Sequence, residues 1–216
     1  MASSRRSTSK RSAVSRNAEA TKQQILKAAE KEFAAAGLSA ARTDAIAASS
    51  SVTKAMIYYY FGSKEELYQA VLERAFTSRL QSLQQTNWLE LPPQEALVGF
   101  LQTFVEHMAS DRNLASLLFL EAVLNKGKYY PKETGAALYG TLRAILEQGI
   151  AQEVFRELDA CHTAVNIVGA CVFYFSAYEN VKFLWKGKRM LSKEMRVQHA
   201  RETIDLILAG VRANSC

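Results

Sequence analysis

The sequence predicts an all-α protein, and three observations carry the prediction. Apolar residues recur at three- and four-residue spacing through most of the chain, helix-start signals stand just ahead of those runs, and no alternating strand pattern appears anywhere in the 216 residues. The punctuation gives about nine helices, three in an amino-terminal head and the others in a larger carboxy-terminal domain. The expected divisions are a basic arm over 1–18, a head over 19–79 and a helical domain over 80–216.

The first 22 residues are rich in Ser, Arg and Lys with almost no apolar side chains, so they are expected to form a disordered arm. No apolar core follows the charges, as a signal peptide requires, and no amphipathic face is present, as a transit peptide requires. Two readings of Arg5, Arg6, Lys10, Arg11 and Arg16 stay open: a solvated tail, or cations that lie along phosphates or enter a minor groove.

Thr43 to Leu67 reads as two short helices across a tight turn and then a capped third. That is the wiring of a helix-turn-helix that enters the DNA major groove, with the motif at about 42–61. Thr43 can cap a helix whose Ile46 and Ala47 face inward, and Asp44 suits the positive end of its dipole. Ser49, Ser50 and Ser51 compete with the helical backbone for hydrogen bonds and make the turn, with Val52 as apolar plug and Thr53 as the next cap. In the helix 54–61, Ile57 and Phe61 share one face, which leaves Lys54, Ala55, Tyr58 and Tyr59 pointing elsewhere. Gly62 can end that helix in a left-handed conformation. Ser63-Lys64-Glu65-Glu66 is a capping box, and it opens a longer amphipathic helix through Leu67, Val71, Leu72, Ala75, Phe76, Leu80 and Leu83.

Pro92-Pro93 breaks helicity, and Pro93 starts a helix through Leu97, Phe100, Leu101, Phe104, Val105 and Met108. Asp111 starts the next, which Asn125-Lys126-Gly127-Lys128 ends, and Pro131 opens another to about Glu153. From Asp159 to Trp185 the chain is apolar almost all round and is expected to be buried on several sides. A membrane span is the competing account, but Asn166, Ser176 and Glu179 interrupt a run that falls short of about 18 residues. A final helix covers 192–213.

The residues from about 19 to 68 closely resemble the DNA-binding domain of the TetR family of transcriptional regulators. Ile25, Leu26, Ala28, Ala29 and Phe33 match its first helix, and Gly37, Thr43, Ile46, Ala47, Val52 and Thr53 follow in order. Ile57, Tyr58, Tyr60, Phe61, Ser63, Lys64, Glu65 and Leu67 match its signature. One departure stands out: Ser50-Ser51 occupies the place of the family's usual Ala-Gly, where a non-Gly residue in the left-handed region costs roughly 1 kcal/mol.

The resemblance implies a three-helix head and a carboxy-terminal helical domain for ligand binding and dimerisation. It implies that Thr43 and Thr53 hold phosphates, that Tyr58, Tyr60 and Lys64 clamp the backbone, and that Lys54, Ala55, Met56 and Tyr59 read bases. It also implies a homodimer through the last two long helices, a palindromic double-stranded DNA operator and release by a small-molecule effector. Phe100, Phe104, Phe119, Tyr139, Phe173, Tyr174 and Tyr178, with Tyr129 and Tyr130 beside them, are candidates to line the effector cavity, or are plain core.

Composition agrees with a cytoplasmic regulator. Residues 1–74 carry 12 Lys and Arg against 7 Asp and Glu, whereas 75–216 carry 15 against 14, so the excess positive charge sits in the head. Cys161, Cys171 and Cys216 form no pairable framework, and inert buried thiols are expected at Cys161 and Cys171. His107, His162 and His199 lack the spacing of a metal site, and no cofactor is expected. The rival reading is an all-helical carrier or enzyme without DNA binding; it has no nucleophile and base set, paired carboxylates or phosphate loop, and it leaves the basic arm unexplained.

Overall fold

A computed structural model describes the backbone of residues 5–213 and the side chains of 17–213 other than those at 78–80, 82, 84 and 112. Among the described residues there are ten α-helices: α1 (Arg5–Ala40), α2 (Thr43–Ser50), α3 (Lys54–Phe61), α4 (Lys64–Gln85), α5 (Pro93–Ser110), α6 (Arg112–Leu124), α7 (Lys132–Ala151), α8 (Ala160–Ser176), α9 (Tyr178–Val181) and α10 (Lys193–Val211). Two 3₁₀ turns, Trp88–Glu90 and Lys182–Leu184, complete the regular structure, and a single bridge pairs Phe155 with Arg212.

The chain divides into two compact units. The first is Met1–Arg74 together with Leu120–Tyr129, so the end of α6 and the turn after it belong to the head, which a division at residue 79 did not anticipate. Its core joins Ile25, Ala29 and Phe33 of α1, Ile46 of α2, Ile57 of α3 and Leu67, Tyr68, Val71 and Leu72 of α4, all fully buried. Gly37 interrupts α1 with φ 70° and ψ 175°, a backbone essentially closed to other residues.

Two buried carboxylates fix this unit. Glu30 pairs with Arg74 at 2.6 Å. Glu121 accepts the Tyr129 N–H at 2.6 Å and the Asn125 amide at 2.7 Å, and it lies beside the Tyr68 hydroxyl. Burial first, and then the Glu121 carboxylate, push the Tyr68 pKa up, so Tyr68 stays a neutral donor.

Helix α1 starts at Arg5, so backbone in the segment expected as a disordered arm is helical; residues 1–36 hold no Gly or Pro to stop it. The side chains of Arg5, Arg6, Lys10, Arg11 and Arg16 lie outside the described residues.

The second unit, Ala75–Phe119 with Tyr130–Cys216, is built on α5, α7, α8 and α10. Pro93 opens α5 in the first turn, as expected, and Leu97, Phe100, Leu101 and Phe104 drive its inner face into the core against Leu142, Ile145 and Leu146 of α7. The apolar stretch 159–185 departs from the expectation in two ways. It breaks after Ser176, whose hydroxyl donates back to the Val172 carbonyl, and the two pieces bend by 72°. It is also not buried all round, since Val165 and Phe173 are exposed. No single described helix is long and apolar enough to cross a membrane.

Candidate nucleic-acid interface

Local chemistry shapes the helix pair of α2 and α3. Ser51 ends α2 with φ 56° and ψ 32°, so the serine does adopt the left-handed conformation that usually falls to Gly. The Val52 N–H then closes on the Ala47 carbonyl at 3.2 Å, and Ser50 turns its hydroxyl onto the Ile46 carbonyl at 2.6 Å. Thr53 caps α3 by accepting the Met56 N–H at 3.3 Å. Gly62 has φ 77° and ψ −63°, with Ser63 N–H bonded to the Phe61 carbonyl at 2.9 Å: a γ-turn, not the expected left-handed cap. Ser63 and Glu66 then form the capping box: the Glu66 N–H donates to the serine oxygen at 3.1 Å, and the serine hydroxyl donates to the Glu66 carboxylate at 2.8 Å.

Thr43 departs from its expected role. It is the first residue of α2, while Arg42 holds the extended cap position without a side-chain cap bond. The reason lies in Arg42, whose N–H is tied to the Glu32 carboxylate at 3.0 Å, which holds Arg42 at the cap position, so the helix begins one residue earlier, at Thr43. Thr43 is buried, and its hydroxyl lies 3.4 Å from the Tyr58 hydroxyl, which joins the first turn of α2 to the outer face of α3.

Of the expected base readers, Lys54 and Ala55 are exposed, Met56 is half-buried and Tyr59 is 83% exposed. Tyr58 is exposed, and Tyr60 is half-buried with its ring edge-on to Tyr59 at 5.2 Å. Lys54 is engaged within the head: its ammonium pairs with Asp44 at 3.1 Å. Lys64 is engaged further, donating to the carbonyls of Ser39 at 3.1 Å and Ala41 at 3.3 Å at the end of α1. It therefore acts first as a strut that satisfies carbonyls of a helix end, with one ammonium proton left over.

Sequence reading passed over two cations. Arg42 is exposed at the start of α2, and the Lys22 ammonium stands 5.9 Å from the centre of the Tyr60 ring. An Arg directly ahead of a helix-opening Thr was the available signal for the first. Nothing local in the sequence pairs Lys22 with Tyr60.

The candidate effector residues stand in different surroundings among the described residues. Phe100 and Phe104 are fully packed and stacked at 6.4 Å, while Phe119 and Phe173 are exposed. Tyr174 is buried and donates its hydroxyl to the Met190 carbonyl at 2.5 Å, and Tyr139 is half-buried. Tyr130 packs edge-on to Phe76, and Tyr129 packs edge-on to Tyr68 in the head. Tyr178 borders a small cavity, about 100 Å³, with Met108 and Phe175. Helical spacing put aromatic residues on different faces of their helices, which a count along the sequence does not resolve.

A capped, outward-facing helix following a tight turn, in a cation-rich head, defines a helix-turn-helix DNA-binding protein. Comparison with known proteins narrows the class. Residues 25–71 match the model of bacterial regulatory proteins of the tetR family, and residues 93–207 match the tetracyclin repressor-like carboxy-terminal domain. The chain is 31% identical over 204 residues to the HTH-type transcriptional repressor NicS of Pseudomonas putida, covering 90% of this chain and 94% of that one. It is 30% identical to the HTH-type transcriptional repressor SCO4008 of Streptomyces coelicolor, over 62% of this chain and 72% of that one. The crystal structure of the TetR family regulator PfmR from Thermus thermophilus superposes with a TM-score of 0.67 at 25% identity, covering 86% and 97% of the two chains. The chain belongs to the tetR family of DNA-binding transcriptional regulators.

Proposed function

We propose that this regulator is a homodimeric repressor that holds a palindromic operator and is released by a small-molecule effector. The observation that carries the reading is α3: capped at Thr53, anchored by buried Ile57, and turning Lys54, Ala55 and Tyr59 to solvent. Backbone N–H groups at the starts of α2 and α3, with the hydroxyls of Thr43, Thr53, Tyr58 and Tyr60 and the remaining Lys64 proton, hold phosphates. Lys54, Ala55, Met56 and Tyr59 meet base edges. Ala55 and Met56 suit a thymine methyl, and Lys54 leaves Asp44 for an acceptor on a base. The arm residues Arg5, Arg6, Lys10, Arg11 and Arg16 add phosphate contacts, with Lys22 beside Tyr60 marking the side on which they approach. The repressor names of the relatives favour repression over activation.

Dimerisation is supported by a stripe along α8 where Val165, Gly169 and Phe173 stand four residues apart and exposed, and by exposed Leu206 and Gly210 on α10. A Cβ built on Gly169 or Gly210 would meet open space, which leaves room for a partner's helices to approach closely. Such a two-fold pair reads half-sites about 34–36 Å apart or a multiple of that. An effector that favours one of two states of the dimer shifts the population off the operator. The protein acts in the cytoplasm, where such operators are reached.

The test selects genomic DNA with the purified protein and titrates the chosen operator. Tyr58→Phe and Lys64→Ala are expected to weaken specific and nonspecific binding alike, Lys54→Ala to change sequence preference, and Phe173→Glu to yield monomers. Affinity that ignores salt and all three head substitutions would refute the reading.

A further inference from the structure

We propose that Asp44 reads a base: together with Lys54 it selects a G·C base pair in each half-site, with the ammonium on guanine and the carboxylate on the amino group of cytosine. This rests on the reading of the protein as an operator-binding repressor. Asp44 is the second residue of α2 and Lys54 the first of α3, and both belong to the head. The Lys54 ammonium stands 3.1 Å from Asp44 Oδ1 and 3.2 Å from Oδ2, so the carboxylate is turned towards the leading turn of α3. The Lys54 and Asp44 side chains are 47% and 60% exposed, which puts the pair on the surface a duplex would meet.

Residues 43–61 hold one acid and one base, and these are Asp44 and Lys54. A carboxylate on a face that meets a polyanion weakens binding unless a donor meets it. Other carboxylates of the head are engaged in holding it together: Glu30 bonds Arg74, Glu32 takes the Arg42 N–H, and Glu66 closes the capping box with Ser63. Asp44 has Lys54 for its partner among the described residues, and once Lys54 turns to a base acceptor the freed carboxylate needs another donor. Phosphates offer none. In the major groove the amino groups of cytosine and adenine do.

The order of groups along the base-pair edge decides between those two. A G·C pair presents the N7 and O6 acceptors of guanine and then, beside O6, the N4 donor of cytosine. An ammonium and a carboxylate held side by side meet that edge in sequence, Lys54 on N7 and O6 and Asp44 on N4–H. In an A·T pair the N6 donor lies between the acceptors N7 and O4, so a carboxylate placed on it also faces the lone pairs of O4. Lysine by itself donates to N7 of either purine and separates the two pairs less sharply. A carboxylate in the first turn also suits the α2 dipole, but that role changes melting and leaves sequence preference alone.

The experiment selects duplexes from a randomised pool with the intact protein and with its Asp44→Ala, Asp44→Asn and Lys54→Ala variants, then measures affinity for the parent's consensus at fixed salt. The parent should require G·C at one position of each half-site. Asp44→Ala and Lys54→Ala should relax that same position, with a loss of about tenfold on the consensus for Asp44→Ala. Asp44→Asn should move the preference there to A·T, because an amide donates to N7 and accepts from N6 of adenine. A consensus with N4-methylcytosine at that position keeps its pairing but loses the groove-facing hydrogen; it should bind the parent about tenfold more weakly and Asp44→Ala no differently. This last measurement on the parent needs no variant to fold. The proposal is overturned if Asp44→Ala binds every sequence more tightly with unchanged preference, as simple loss of charge repulsion predicts. It is overturned equally if the variant only melts lower and reads DNA as before, or if N4-methylcytosine leaves the parent unaffected. Should the parent select no duplex at all, the repressor reading falls and this one with it; should it select a consensus to which Asp44 is indifferent, only the role of Asp44 is wrong.

Discussion

Ser51 offers a direct check on how the helix-turn-helix is built. Its φ of 56° and ψ of 32° place an L-residue with a side chain in the left-handed well, at the joint that sets α3 against α2. That conformation costs about 1–2 kcal/mol for a non-Gly residue, and glycine returns part of this by losing roughly 0.5–1 kcal/mol more chain entropy on folding. Ser51 is exposed, so replacing it removes little packing. Ser51→Gly should therefore stabilise by about 0.5–1 kcal/mol, a melting shift of about 1–4 °C for a chain of this size. Ser51→Val, whose branched side chain is worst suited to positive φ, should move in the opposite direction by at least as much. Circular-dichroism melts of the three proteins measure this, with operator affinity of the glycine variant as the control for an undisturbed α3. Should the glycine and valine variants melt together with the parent, Ser51 does not sit in the left-handed well and the turn geometry is wrong.

The same reasoning extends to the second unit. A Cβ at Gly149 would lie 2.0 Å from the Phe155 ring, and Phe155 is buried and held beside the bridge to Arg212, so Gly149→Ala should cost about 1–3 kcal/mol in a urea titration. His199 is stacked on Tyr174 and bonded to Thr203, and burial lowers its pKa, with the Cys171 carbonyl opposing. The unfolded chain then binds the proton first, so stability is full above the ordinary His value of about 6.5 and falls as pH drops below it; His199→Gln should flatten that slope between about pH 7 and 5. Burial pushes the Cys171 thiol up to about 12, whereas Cys161 is exposed, contrary to the expectation of a buried thiol there. An aromatic disulfide reagent should label Cys161 at once and Cys171 only with unfolding; prompt labelling of Cys171 would contradict the packing of α8.

Much of the fold was legible because helix punctuation is local. Thr53 and the Ser63–Glu66 box act through bonds to residues three positions away, Pro93 acts through its own fixed φ in the first turn, and each is found in that place. Tertiary partners were not legible in the same way. Nothing near Glu121 in sequence reveals that it packs beside Tyr68, 53 positions earlier, and so brings the end of α6 into the head. The break after Ser176 and the outward turn of Val165 and Phe173 were hidden because uniform apolarity looks alike whether a face meets its own core or is left open. The Arg42–Glu32 bond that moves the start of α2 is likewise tertiary, joining α1 to the cap residue ahead of α2.

The candidate interface shows what separates naming a residue from assigning its work. Lys54 and Lys64 both count as positive charge in the sequence, yet the structure commits them to different partners before any DNA arrives. The exposed Lys54–Asp44 pair is worth at most about 1 kcal/mol, so a base acceptor can displace Asp44 readily. Lys64 bonds to two carbonyls at the end of α1, and giving these up would leave backbone acceptors unmet where α1 meets α2 and α4. On the proposed reading of the interface, Lys54 is thus the mobile reader and Lys64 the fixed strut. It follows that the substitution of Lys64 weakens binding through the posture of the head as much as through a lost phosphate contact, whereas the substitution of Lys54 leaves that posture intact and changes only which sequence is preferred.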